Sequence, residues 1–149
     1  LEFQVQNTFK TGSMQIPLSF VYTYTKAEIT GNNNASGFVS GDLLKAVPEN
    51  VFSLRAGFEH SSGWDNYAII KYIDETCVST GCNRSNDAFG KTESLFVVDW
   101  VSRYEYSSNT DLFLKVTNLL DNQVIISREP DGARPNKPRT ISDGVRIDF

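Results

Sequence analysis

Two cysteines, one histidine and a set of arginines are the residues whose chemistry could be specialised in this chain. Cys77 and Cys82 bracket the polar run CVSTGC. That spacing is wrong for a C-x-x-C redox or zinc pair, and no second pair exists to complete a zinc site. They read as a small disulfide loop in an oxidising compartment, with free thiols as the alternative. His60 stands beside a turn sequence, HSSG, so any Ser-His-Asp site would have to use it. A histidine at a turn is ordinarily just solvated. No G-x-S-x-G elbow, P-loop or H-E-x-x-H occurs, and GNNN and CNRSND do not build a D-x-D-x-D-G calcium loop. This inventory points to no enzyme, no cofactor and no metal site.

The elements that would position these residues are strands. The chain has 149 residues, of which 40% are hydrophobic, enough for a folded protein. Its net charge of -4 leaves no basic footprint, so nucleic acid is not an expected partner. Aromatics reach 12%, and no run approaches the roughly 18 apolar residues of a transmembrane helix. The first residues, LEFQVQNTFK, lack the layout of a signal peptide and already alternate, as if the chain began mid-structure.

Period-two alternation dominates. Apolar sets such as Phe3, Val5 and Phe9, then Phe20 and Tyr22, Phe52 and Leu54, Phe96 and Val98, and Leu112, Leu114 and Val116 alternate with polar neighbours. Ile141, Val145, Ile147 and Phe149 end the chain in the same way. Seven strands result, joined by connections that run short (TGSM), long, short (HSSG), long, short (SSNT), long. Outer-membrane barrels have short turns at one end and long loops at the other, whereas a sandwich mixes lengths at both ends. The expectation is an all-β, antiparallel up-and-down transmembrane β-barrel segment. A soluble β-sandwich that binds carbohydrate or another ligand is the alternative. It would bury Phe20, Leu54 and Val98 as a core.

The last forty residues sharpen this. LFLKVTNLLDNQVI, then GARPNKPRTISDGVRIDF, resembles the C-terminal end of TonB-dependent outer-membrane receptors. The matching elements are Asn118, Leu119, Leu120 and Asp121, then Gly132, Pro135, Pro138 and Arg139, then the strand from Ile141 to Phe149. Leu120 replaces the commoner Phe. Upstream, GDLLKAVPENVFSLRAGFEH and FVYTYTKAEI resemble family strands in the same order. The resemblance implies that residues 1–149 form the C-terminal part of a barrel domain, about seven strands of about 22. The plug domain and the TonB-contacting segment (the TonB box) would lie outside this stretch.

The resemblance also implies location and partners. The chain would sit in a Gram-negative outer membrane among lipid and lipopolysaccharide. It would contact the rest of the barrel, the plug, the barrel-assembly machinery and, through the missing N-terminal region, TonB. The cargo would be a ferric siderophore or ferric citrate, bound as ligand. With a periplasmic C-terminus, 30–49, 75–93 and 122–139 become extracellular loops, which puts both cysteines outside. Arg84, Arg128, Arg134 and Arg139 lie in or beside those loops, where fork donors would attract an anionic chelate. Arg55, Lys71, Arg103, Lys115 and Arg146 would line the lumen. Phe149 resembles the assembly signal, with an interfacial aromatic as the plain reading. The sequon-like Asn34-Ala35-Ser36 and Asn83-Arg84-Ser85 mean little in a bacterial barrel. Asp143 departs from the pattern, because it stands on the apolar face of the last strand. A charge facing mid-bilayer lipid costs roughly 2–4 kcal/mol at worst, so Asp143 is expected near the outer rim, or on an irregular strand.

Overall fold

The computed structural model describes residues 1–32, 35, 37–130 and 132–149. Asn34 and Ser36 of the first sequon lie outside the described residues. The strands are β1 (Glu2–Thr11), β2 (Met14–Tyr24), β3 (Asn50–His60), β4 (Trp64–Ile73), β5 (Leu95–Ser107) and β6 (Thr110–Thr117), then the short β7 (Ile125–Ser127) and β8 (Arg134–Pro135), then β9 (Thr140–Ile147). One seven-stranded antiparallel sheet runs β1-β2-β3-β4-β5-β6-β9, while β7 and β8 pair separately. The seven strands expected from alternation are the seven of this sheet. The β7–β8 ribbon, inside the last long connection, has no alternation to announce it.

Three connections are tight and three are long, at opposite ends of the sheet. Gly12 and Gly63 take φ of 55° and 79° in two of the tight turns. Glycine adopts this left-handed region without a Cβ clash, and tight hairpins need it.

Cross-strand partners share a face. The pairs Phe3↔Tyr22, Tyr22↔Phe52, Phe52↔Tyr72 and Tyr72↔Phe96 therefore line up an unbroken aromatic row across β1 to β5. Within it the Phe52 and Tyr72 rings stack at 5.2 Å. On the same face, at the tight-turn end, His60↔Trp64↔Tyr104 form a second row. Trp64 and Tyr72 are eight residues apart on β4, about 26 Å along a strand at 3.3 Å per residue. Between the rows this face carries Leu18, Leu54, Ala56, Ala68, Ile70, Val98 and Trp100, with Asn7, Asn66 and Ser102 as polar exceptions. The opposite face carries Gln4, Ser19, Arg55, Lys71, Asp99, Arg103 and Lys115, among others.

The loop ends of β2 to β5 are nearly level across the ladder, through Tyr24↔Asn50, Val51↔Ile73 and Ile73↔Leu95, whereas β6 ends one residue beyond the row of Trp100. Strands of a closed barrel tilt by about 35–45° to its axis. After tilt, the two aromatic rows stand about 20 Å apart along the barrel axis, close to the apolar band of about 25 Å in outer-membrane barrels.

No second layer covers either face. Among the described strand residues, Val116 is the one large apolar side chain that is buried. Phe20, Leu54 and Val98 share the apolar face at intermediate exposure and enclose no interior, contrary to the sandwich alternative. Asp143 also departs from expectation. It pairs with Leu114 in an unbroken ladder, three positions from Thr140 and four from Ile147. It is on a regular strand, one row from that of Trp64, Tyr104 and Val145 at the tight-turn end, and not at the outer rim.

Candidate loop and lumen surface

The three long connections, 25–49, 74–94 and 118–139, gather at one end and hold each other. Asp42 is the hub, with its side chain 0% exposed. Arg84 grips it with two nitrogens, Nε and Nη2, the latter donating at 2.9 Å, and the Val39 N–H donates at 2.9 Å. The guanidinium first, and the Val39 amide second, hold the Asp42 carboxyl below its ordinary pKa. Beside the hub, Asn83 Nδ2 donates to the Gly41 carbonyl, and the Leu43 N–H donates to Asn83 Oδ1 at 3.0 Å. The Cys77–Cys82 disulfide closes the base of this cluster, both cysteines being buried. Cys77 makes isolated backbone bridges to Lys45 of the first connection and to Lys91 of its own, so it ties the two connections together.

The third connection is tied in by Lys45 with Glu129 at 2.6 Å, by Arg128 Nε donating to the Lys91 carbonyl at 2.8 Å, and by the Glu93 N–H donating to Ile125 O at 2.8 Å. Its root is a knot of amides. Asn118, buried with φ of 50°, donates through Nδ2 to the carbonyls of Asn122 and Lys137 and accepts from the Asn122 N–H. Asparagine tolerates that left-handed backbone better than other large residues. Asn136 accepts from the Val124 N–H and donates to Asn122 O. Asp121 accepts from the Arg139 N–H at 2.8 Å. The Asn-Leu-Leu-Asp and Pro-Arg segments are therefore one hydrogen-bonded unit joining β6 to β9.

The four loop arginines have separate positions. Arg84 is committed to Asp42. Arg128 lies over the Phe89 ring at 5.3 Å as well as on Lys91 O. Arg139 reaches Leu119 O and Asp121. Arg134, in β8, is exposed and makes no ion pair with a described residue. The structure does not bring the four together. Phe149 lies past the end of β9, fully exposed. His60 bridges Ser13 Oγ at 3.0 Å and Ser62 Oγ at 2.8 Å at a tight turn.

On the polar face, Arg103 pairs with Asp65 and Asp111 near the tight turns, and Arg55 stacks over Tyr67 at 4.4 Å. Tyr67 in turn lies against Gly57, where a Cβ would meet its ring at 2.6 Å. Arg55, Lys71, Arg103, Lys115 and Arg146 all fall on this face, as the alternation predicts. Near its loop end a pocket of about 410 Å³ opens between Val97, Asp99, Lys115, Thr117, Lys137 and Ser142. Alternation exposed the faces, but Asp42 as hub was missed. Its partner Arg84 is 42 residues away, and no local pattern marks a pair so distant.

No family model matches the chain. Its sequence is 27% identical over 140 residues to the metal-pseudopaline receptor CntO of Pseudomonas aeruginosa, covering 91% of this chain and 19% of that protein. Among solved structures it is similar to the ferric-catecholate import receptor Fiu of E. coli K12 in its closed form, with TM-score 0.72 and 25% identity, covering 99% of this chain and 20% of Fiu. It superposes also on the siderophore receptor PiuA of Acinetobacter baumannii, with TM-score 0.71, 19% identity and coverage of 98% and 21%. The chain thus spans about a fifth of the length of these proteins. Its fold is that of a stretch of β-barrel wall in these receptors, and its sequence is similar to CntO and Fiu over nearly the whole chain.

Proposed function

We propose that this chain is the C-terminal barrel wall of an outer-membrane receptor that imports ferric chelates, siderophore or ferric citrate, with energy delivered by TonB. One observation carries the reading: an uncovered apolar face bounded by two aromatic rows, backed by a charged face. Hydrocarbon satisfies the first face and a water-filled lumen the second. In this arrangement the wall performs no reaction on the cargo. It excludes lipid from the passage, presents Arg55, Lys71 and Lys115 toward the lumen, and carries an ordered loop rim outside. The remaining barrel strands and the plug complete the passage, and the barrel-assembly machinery inserts it, with Phe149 as part of its signal. Arg134, exposed in the rim and without an ion pair among the described residues, is the loop arginine best placed to meet an anionic chelate.

The test is transport. Deleting the gene for the complete receptor from its host should abolish uptake of radioiron from at least one defined chelate, among ferric citrate, a ferric catecholate and a ferric mixed-ligand siderophore, and dissipating the proton-motive force should do the same. Unchanged uptake of every chelate tried, in a host without a second receptor for it, would contradict the proposal.

A further inference from the structure

Asp143 is a carboxylate on the face that elsewhere suits hydrocarbon, in the row of Leu114, Ser102 and Asn66 and one row from that of Trp64 and Tyr104. Every neighbour it has on that face within this chain is aliphatic: Leu114 directly across the ladder, Leu112 and Val116 diagonally, and Ile141 and Val145 two residues away along β9. The nearest basic residues in the ladder, Lys115 and Arg146, sit on the opposite face, and Arg139, four residues before Asp143, is engaged with Leu119 O and Asp121. Asp143 forms no ion pair with any described residue and is exposed. Ionisable groups inside a membrane are stabilised by a partner or by water, and β6 supplies neither. The other edge of β9 is open in this sheet.

We propose that the strand completing the barrel along that open edge presents an outward-facing Lys or Arg at the position opposite Asp143. The pair would form an ion bridge on the lipid side of the seam that joins the chain to the rest of the barrel. The inference rests on the barrel reading above. A basic side chain is the partner argued for because hydrocarbon demands charge neutrality as well as a hydrogen bond, which a hydroxyl cannot supply. Since Asp143 stands among aliphatic residues alone, the bridge also fixes the seam in register: a slip of one residue would turn the base to the lumen, and a slip of two would leave both charges unpaired.

The sign of one substitution tests this. In the complete receptor folded into phosphatidylcholine vesicles, Asp143→Leu should lower the urea midpoint of unfolding, because it leaves the base alone in lipid. Asp143→Glu should stay near the parent, and replacing the opposed base by Leu in the Asp143→Leu background should restore the midpoint. A raised midpoint for Asp143→Leu would overturn the proposal, since it is the result for a carboxylate that faces lipid unpartnered. Should Asp143→Leu fail to fold, Asp143→Cys combined with single cysteines along the adjoining strand locates the opposed residue by disulfide formation. An apolar residue there is equally fatal. If the parent receptor itself does not insert into vesicles, the barrel reading falls and this inference with it. Insertion with a raised midpoint refutes this inference alone.

Discussion

Ala68 and Ile69 are adjacent on β4 and point to opposite faces, at one height in the sheet. Ala68 pairs with Ala56 and Trp100 on the apolar face, and Ile69 with Arg55 and Asp99 on the charged face. Ala68 is four residues from Trp64 and four from Tyr72, so it lies about 13 Å along the strand from each aromatic row and about 10 Å along the axis after tilt. An arginine side chain cannot bring its head group to either interface without distortion from that depth. Placing Arg at the midplane of a barrel's lipid face costs about 2–4 kcal/mol. At a factor of ten per 1.4 kcal/mol, that is a loss of roughly thirty-fold to several-hundred-fold in the folding equilibrium. Ile69→Arg puts the same group in the lumen. There Asp99 attracts it and Arg55 repels it through water, so a change within about 1 kcal/mol is expected. The assay is reversible urea unfolding of the complete receptor in vesicles, followed by tryptophan fluorescence and by the folded band in unheated electrophoresis. Ala68→Arg should shift the midpoint strongly and Ile69→Arg only slightly. Equal shifts, or a larger one for Ile69→Arg, would refute the assignment of faces.

Three further outcomes follow from the loop rim. Asn118→Ala removes two donated bonds and one accepted bond at a buried site, and should cost about 2–3 kcal/mol. Limited proteolysis should then cut within residues 118–139 while the strands stay protected. Reducing Cys77–Cys82 releases a short closed loop, a constraint of about 2 kcal/mol by chain entropy. Hydrogen exchange in 74–94 should rise on reduction, with β3 and β4 unaffected. Asp42 has a folded-state pKa below its unfolded value of about 4, so its contribution is fully present above that value. It is lost as pH falls through the lower, folded value. Exchange at the Val39 amide should therefore be flat from pH 7 to 5, after correction for intrinsic rates, and rise only in stronger acid. Asp42→Asn should remove that acid step.

How much of this was legible without coordinates depends on range. The sheet was, because a strand that divides two media must alternate, and Phe20, Leu54 and Val98 carry that alternation in their immediate sequence. The tight turns were legible for the same local reason, since Gly12 and Gly63 sit where the backbone must turn left-handed. The bonding of the rim was not. Arg84 looks like a free cation in a polar loop, yet it is spent on Asp42. The Asn118 and Arg139 segments were recognisable as a pattern, but their joining by Asp121 and Asn136 depends on two loop ends meeting in space. Asp143 was recognised as out of place, and the expected remedy, an outer-rim position or a bulge, is not the one the ladder shows.

The most direct measurement asks what touches each face. Single spin labels at Phe20, Leu54 and Val98, and at their neighbours Val21, Ser53 and Val97, can be placed in the complete receptor in vesicles and read by collision with oxygen, enriched in hydrocarbon, and with a water-soluble nickel chelate. The account predicts that labels at 20, 54 and 98 collide with oxygen and hardly with nickel, while those at 21, 53 and 97 show the reverse. Low accessibility to both reagents at 20, 54 and 98 would mean that protein covers them, and would contradict it.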